Sequence, residues 1–231
     1  MDDSELDVVA AEETAIGMIC LRRRAIPSAP GAFATEITLD HQFLMSSEAT
    51  ASERALATRA IELHGGDALD VLVGGLGLGY TARAALASPR VARVEVVELL
   101  APVIGWLARD LVPLAATLRA DPRFAVRAGD VYAELAGPPV HGRDVILIDV
   151  DHSPDERLGA ANATFYTASG LARAKRHLAP GGVLAVWSYA PSSPFAEALR
   201  ATFRDVRVEP VGFENRVIEA DETNWLFLAR D

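Results

Sequence analysis

The segment VLVGGLGLGYT, Val71 to Thr81, places four glycines in six positions directly after an apolar run. A strand that breaks into glycines brings bare backbone close to whatever lies beyond its tip, because no Cβ stands in the way. The chain on either side alternates. DVLVG reads as a buried strand, and the glycine turn opens a helix through about Ala87. VARVEVVEL is the next strand, followed by a helix over PVIGWLARDLVPLAATL with proline in its first turn. FAVRAGD, DVILIDVD and VLAVWSYA continue as strands, separated by a short helical piece and by a helix over ATFYTASGLARAKRHL. After the helix FAEALRATF, VRVEPV and NWLFLAR form two strands with no helix between them, which predicts an antiparallel pair at one sheet edge. Strands alternating with helices predict a parallel sheet covered on both faces.

Upstream, AIGMICLRRRAI and FATEITLDHQFLMSS are short and β-rich, separated by the turn signal PSAPG. They predict an N-terminal β-hairpin or small sheet over residues 1–50, with the α/β domain occupying 51–231. Ser52 is placed to cap a helix through ERALATRAIELH that stops at Gly65-Gly66.

Composition bounds the function. The 231 residues carry 32 acids against 22 basic residues, a net charge of −10, and half of them are hydrophobic. So negative a surface repels phosphate backbones, so nucleic acid is not expected as a partner. No apolar run is long enough to cross a membrane, so no membrane partner is expected. The acidic start MDDSELDVVAAEET lacks the pattern of a signal peptide, which makes a cytoplasmic protein the expectation. The single cysteine, Cys20, reads as a small apolar filler, and Arg22-Arg23-Arg24 as a solvated strand end.

In a doubly wound sheet, ligands sit outside the carboxyl ends of the strands, where the strand order reverses. Gly75, Gly77 and Gly79 form the bend there. Glu98 ends the second strand, 23 residues beyond Gly75 (98 − 75), where a carboxylate accepts hydrogen bonds from ribose hydroxyls. Asp130 lies at the third tip, within reach of an adenine amino group, and Asp149 at the fourth, facing the same crevice. Together they point to an adenosine-type ligand. Gly77-x-Gly79-x-x-Ala82 also fits a loosened dinucleotide fingerprint, but that frame leaves Gly74 and Gly75 unexplained. A mouth ringed with acids suits a cationic sulfonium nucleoside better than a pyrophosphate. Trp187, Ser188 and Tyr189 follow the fifth strand on the substrate side, and Asn162 and Tyr166 begin the helix after the fourth.

These motifs resemble the spermidine synthase-like branch of the class I S-adenosylmethionine-dependent transferases. The likeness rests on VLVGGLGLGYTARAAL, VEVVELLAPVI, DPRFAVRAGD, DVILIDVD and FYTASGLARAKRHLAPGGVLAVWS, with LDHQFLMSSEATASERAL as the N-terminal counterpart. It implies a Rossmann-like seven-stranded methyltransferase-type sheet with a small N-terminal β-extension. It implies that Gly75, Gly77, Gly79, Glu98 and Asp130 hold the adenosyl group, that Asp149 faces an attacking amine, and that the protein pairs as a homodimer. The departures are specific. Where aminopropyltransferases carry an aspartate in the glycine turn, this chain has Leu78. Where they carry a Tyr-His pair on the entry helix, it has Leu56 and Ala57. The family's acid-Ser-Ser-acid-Pro is replaced by Asp149-Val150-Asp151-His152-Ser153-Pro154.

The expected activity is therefore transfer from an adenosyl sulfonium to a small-molecule acceptor, an amine among the candidates. Methyl transfer from S-adenosylmethionine is favoured over aminopropyl transfer from its decarboxylated relative. A nucleoside-binding scaffold without catalysis is the third reading. Asp149 and Asp151 are the candidates for orienting the nucleophile or taking its proton, and Trp187, Tyr189 and Tyr166 for contacting the acceptor. Asp149, Asp151 and His152 resemble the start of a magnesium site in catechol-type methyltransferases. The Asp-Asn pair that would complete it after the fifth strand is here Trp187-Ser188-Tyr189, so no metal is expected.

Overall fold

The structure, a computed structural model, describes residues 6–150, 153–155, 162 and 164–231. Four strands come first: β1 (Leu6–Thr14), β2 (Gly17–Ala25), β3 (Phe33–Leu39) and β4 (Gln42–Ser46) form an antiparallel sheet in chain order. Of the hairpin or small sheet that the sequence predicts, the structure forms the sheet, a four-stranded meander. The entry helix α1 (Ala51–His64) follows and ends at Gly65, whose φ of 77° is the left-handed conformation that closes helices. Thr50, not Ser52, occupies the N-cap position, without a side-chain cap. Ser52 lies within the first turn, fully buried.

The α/β region alternates β5 (Leu69–Gly74), α2 (Tyr80–Ala87), β6 (Val91–Glu98), α3 (Ala101–Ala108), α4 (Ala115–Ala120), β7 (Phe124–Ala128), α5 (Val131–Ala136), β8 (Arg143–Ile148), α6 (Ala168–Lys175), β9 (Leu178–Ser188) and α7 (Ser193–Arg200). It closes with β10 (Asp205–Asn215) and β11 (Ala220–Arg230). These seven strands make one sheet in the order β10-β11-β9-β8-β5-β6-β7, parallel except that β11 runs antiparallel to both its neighbours. The seven-stranded Rossmann-like class and the antiparallel edge pair are as the sequence predicts.

Two predicted helices are shorter than their patterns. The stretch through PVIGWLARDLVPLAATL divides into α3 and α4, because Asp110 takes a left-handed φ of 58° and Pro113 interrupts the hydrogen-bond ladder. The ATFYTASGLARAKRHL pattern yields α6 only from Ala168, where the Thr167 hydroxyl caps the helix by accepting from the Gly170 amide at 3.1 Å.

Strand alternation sorts the core into two layers. Val71, Val73, Val145 and Leu147 face α1 to α4, whereas Leu72, Ile146 and Ile148 face α5 to α7. Ile19, Leu21 and Ile37 of the N-terminal sheet join the first layer, so that sheet is packed onto the α/β core. The fully buried Trp106 of α3 donates its indole N–H to Glu12 of β1 at 2.8 Å, with Arg109 on the same oxygen.

Across the inner strand β6 an ion-pair ladder stands in the sheet. Glu95 accepts from Arg143 at 2.6 Å and from Arg127 at 2.6 Å. Burial opposes its ionisation, but the two guanidinium groups prevail and hold its carboxyl at about 2, below its ordinary 4.5. A lowered folded value stabilises above the ordinary range and loses that contribution as pH falls toward 2. Arg22 and Arg24, read as a solvated strand end, both pair with the buried Glu36. Glu95→Gln should therefore lower unfolding stability by about 3 kcal/mol at pH 7. In urea titrations the gap to wild type should narrow as pH drops from about 4.5 toward 2; a gap independent of pH would contradict the assignment.

Candidate functional site

A cleft of about 200 Å³ opens where the N-terminal sheet overhangs the tips of β5, β6, β7 and β8. Its floor is the glycine bend and its far wall is apolar, from Val97, Leu99 and Val131. Met45 of β4 covers the bend, its sulfur accepting from the Leu78 amide at 3.1 Å. Three carboxylates enter the cleft: Glu98, Asp130 and Asp149.

The bend itself depends on glycine. Gly75 has a φ of 96°, and a Cβ there would meet the Asp149 carbonyl oxygen at 2.1 Å. Gly75 and Gly77 line the cleft, as expected. Gly79 does not: it is buried, precedes α2 with a φ of 88°, and presses against Leu118 of α4. Its role is to turn the chain into the helix.

Glu98 is 6% exposed and spans the bend. Oε2 accepts from the Leu76 amide and Oε1 from the Leu100 amide, each at 2.7 Å. Burial pushes its carboxyl above the ordinary range, and the amide hydrogen bonds offset part of that rise. The backbone amides of Leu76, Gly77, Leu99 and Leu100 all face this carboxylate. Asp130 caps α5, its Oδ1 accepting from the Tyr132 and Ala133 amides at 2.8 and 3.2 Å, and keeps its other oxygen available.

Asp149 leaves the tip of β8 partly accessible from the cleft. Desolvation pushes its carboxyl up to about 6, against the opposing hydrogen bond from the Thr81 hydroxyl. Desolvation thus makes Asp149 easier to protonate than an ordinary aspartate.

The predicted acceptor residues separate. Trp187 is buried on the α1 side of the sheet. Tyr189 is exposed beyond β9, outside the cleft lining. Tyr166 lies on the opposite face, in an aromatic cluster with Phe165 and Phe195. Its hydroxyl meets that of Tyr132 at 2.7 Å, and only Tyr132 reaches the cleft. Burial raises the Tyr166 phenol to about 12. Asp151 and His152 lie outside the described residues. Leu78, Leu56 and Ala57 are all fully buried.

Sequence reasoning missed Glu53. This α1 carboxylate is 6% exposed and accepts from Ser52 Oγ at 2.9 Å. Its backbone carbonyl lies 3.3 Å from the Thr81 hydroxyl that serves Asp149. The signal was an acid in the first helical turn, which sequence alone assigns to the helix dipole.

No family model matches the chain. Among solved structures, a spermidine synthase in complex with the transition-state analogue AdoDATO superposes with a TM-score of 0.76 at 21% identity, over 96% of this chain and 73% of that one. The spermidine synthase from Thermotoga maritima gives 0.73 at 20%, over 96% and 72%. Human methyltransferase-like protein 13 in complex with SAH gives 0.53 at 21%, over 78% and 79%. The fold is therefore that of spermidine synthases and class I methyltransferases, in agreement with the sequence resemblance.

Because its folded value is raised from 3.8 to about 6, Asp149 supports stability at low pH and loses that support as pH rises through about 6. Asp149→Asn should accordingly be more stable than wild type at pH 8, by about 1–2 kcal/mol, with no advantage below pH 4. Thermal melts at the two pH values check this; a variant less stable at pH 8 would contradict the desolvated charge.

Proposed function

We propose that the chain is a transferase acting on an adenosyl sulfonium, and that it moves an aminopropyl group from decarboxylated S-adenosylmethionine to a small amine. The observation that carries this reading is the charge of the cleft. Glu98, Asp130 and Asp149 enter it, and no lysine or arginine is among the described residues that line it. S-adenosylmethionine brings a carboxylate on its amino-acid end, which this lining would meet with like charge. The decarboxylated co-substrate brings only positive charge. The sequence favours methyl transfer because the amine-holding residues of the family are absent. The extent of the structural likeness weighs the other way, 96% of the chain against spermidine synthase and 78% against the methyltransferase.

The residues present fit such a ligand. The glycine bend admits its backbone-facing edge, Glu98 offers acceptors to a ribose, Asp130 offers one to an adenine amino group, and the apolar wall takes the flat ring. The bound sulfonium supplies a carbon whose bond to sulfur is ready to break. The acceptor nitrogen attacks that carbon with its lone pair; the carbon–sulfur bond breaks with its electrons going to sulfur, leaving a neutral thioether. That lone pair is freed when the incoming ammonium gives a proton to Asp149, whose carboxyl burial raises above the ordinary range, and the product nitrogen leaves cationic, as an ammonium. Alignment of nitrogen, carbon and sulfur is the larger part of catalysis, and the rigid strand tips provide it.

Side-by-side calorimetry tests the assignment. Decarboxylated S-adenosylmethionine should bind at least tenfold more tightly than S-adenosylmethionine, and NAD should show no heat. Tighter binding of S-adenosylmethionine would return the assignment to methyl transfer.

A further inference from the structure

The cleft extends past its acidic end. Beyond the glycine bend it runs beneath the N-terminal sheet, where strand pairing decides which side chains it meets. Ile37 of β3 stands opposite Met45 of β4, and Leu39 opposite both Gln42 of β4 and Ile19 of β2. Ile37 and Leu39 are two residues apart, so they and their partners point to one face. The register slips between Ile37 and Thr38, which leaves Leu44 as an extra residue on β4, and it too lines the cleft. Met45 holds the near end, where a Cβ on Gly77 would strike its sulfur. Ile16, in the turn between β1 and β2, continues the strip past Ile19. Leu100 and Val103, at the start of α3, close it from the α/β side.

This strip borders open space. Ile16 is 49% exposed, and Leu39, Leu44, Met45 and Leu100 are partly exposed, each lining the cleft of about 200 Å³. Its chemistry is uniform: none of its residues is charged, and Gln42, at the exposed rim, is its one polar side chain. Glu98 and Asp130 lie at the other end, each engaged by backbone amides and assigned to the nucleoside. The flat ring is assigned to Val97, Leu99 and Val131, so the strip is left to the acceptor. Asp149 adjoins the bend, its carbonyl lying against Gly75, two residues before the glycine that Met45 covers.

A molecule reaching from Asp149 along this strip needs a cationic end and an apolar body. Hydrocarbon covered there should tighten binding about threefold to fourfold per methylene. A second ammonium laid on the strip would lose its water and find no carboxylate. We infer that the acceptor is a monoamine whose nitrogen meets Asp149 and whose uncharged hydrocarbon body lies along the strip from Met45 toward Leu39 and Ile19. The inference rests on the sulfonium-transferase reading and narrows its acceptor away from diamines. Leu39, partly exposed in the middle of the strip, is then a specificity-determining residue.

The test is calorimetric binding to the intact protein saturated with methylthioadenosine. Pentylamine and 1,4-diaminobutane have equal numbers of heavy atoms and differ in a terminal methyl against a second ammonium. Pentylamine should bind at least tenfold more tightly than diaminobutane. It should also bind at least fivefold more tightly than propylamine, which is two methylenes shorter. Leu39→Asp places a carboxylate on the strip and should reverse the order, so that diaminobutane binds more tightly than pentylamine; a thermal melt reports that the variant is folded. Should it fail to fold, the wild-type comparisons decide alone. A smaller ratio in either wild-type comparison, no binding of any amine, or an unchanged order in folded Leu39→Asp would overturn the inference while leaving the nucleoside site standing. Failure of methylthioadenosine itself to bind would overturn the transferase reading and the inference with it.

Discussion

The buried carboxylate of Glu98 ties the end of β6 to the bend after β5 and to the start of α3 through two amide hydrogen bonds of 2.7 Å. Around it, backbone pairing joins the same tips: the Gly75 amide donates to the Val97 carbonyl, and the Asp149 amide to the Gly74 carbonyl. The Asp149 carbonyl in turn occupies the space a Cβ on Gly75 would need. Three strand ends are thus fixed against one another within a few residues. The positions of Glu98 and Asp149 follow from this, and Asp130 is brought beside them where the Gly129 amide donates to the Glu98 carbonyl. A hydrogen bond from an amide to a charged acceptor is among the stronger ones, which suits Glu98 to a structural as well as a binding role.

The same arrangement explains why Asp149 differs from its neighbours. Glu98 is buried but held by amides, and Asp130 spends one oxygen on a helix cap. Asp149 has the Thr81 hydroxyl against the desolvation it suffers between the sheet and α1, and its carboxyl rises to about 6. Acids in one cleft thereby differ in environment: Glu98 and Asp130 are held by backbone amides, and Asp149 is desolvated beside a hydroxyl. The difference arises from backbone geometry and burial, with no cation among the described lining residues to blur it.

Much of this was legible in the sequence because it is periodic or because it sits at a strand tip. Alternation in DVLVG and DVILID gave the two-layered core, and the glycine bend with Glu98, Asp130 and Asp149 gave the cleft. What was not legible depends on which element lies over which. Ser52 looks like a helix cap in one dimension, yet the approach of Asn224 from β11 buries it inside the first turn. Glu53 looks like a solvated acid, yet the packing of α1 on the sheet encloses it. Tyr166 lies close to Asp149 in sequence, but strand alternation and the α6 side of the sheet carry it into the other layer. Gly79 matches a ligand-binding pattern, and its neighbour in space is Leu118 from a helix forty residues away in order of magnitude. None of these separations is encoded by local pattern.

The central claim is that strand-tip carboxylates converge on a nucleoside seated over the glycine bend, with Glu98 as the keystone. Calorimetric titration of methylthioadenosine into wild type and Glu98→Ala measures it most directly. Saturable binding by the first, and a loss of at least a hundredfold by a still-folded second, is the predicted result. Equal affinity of the two proteins would contradict it.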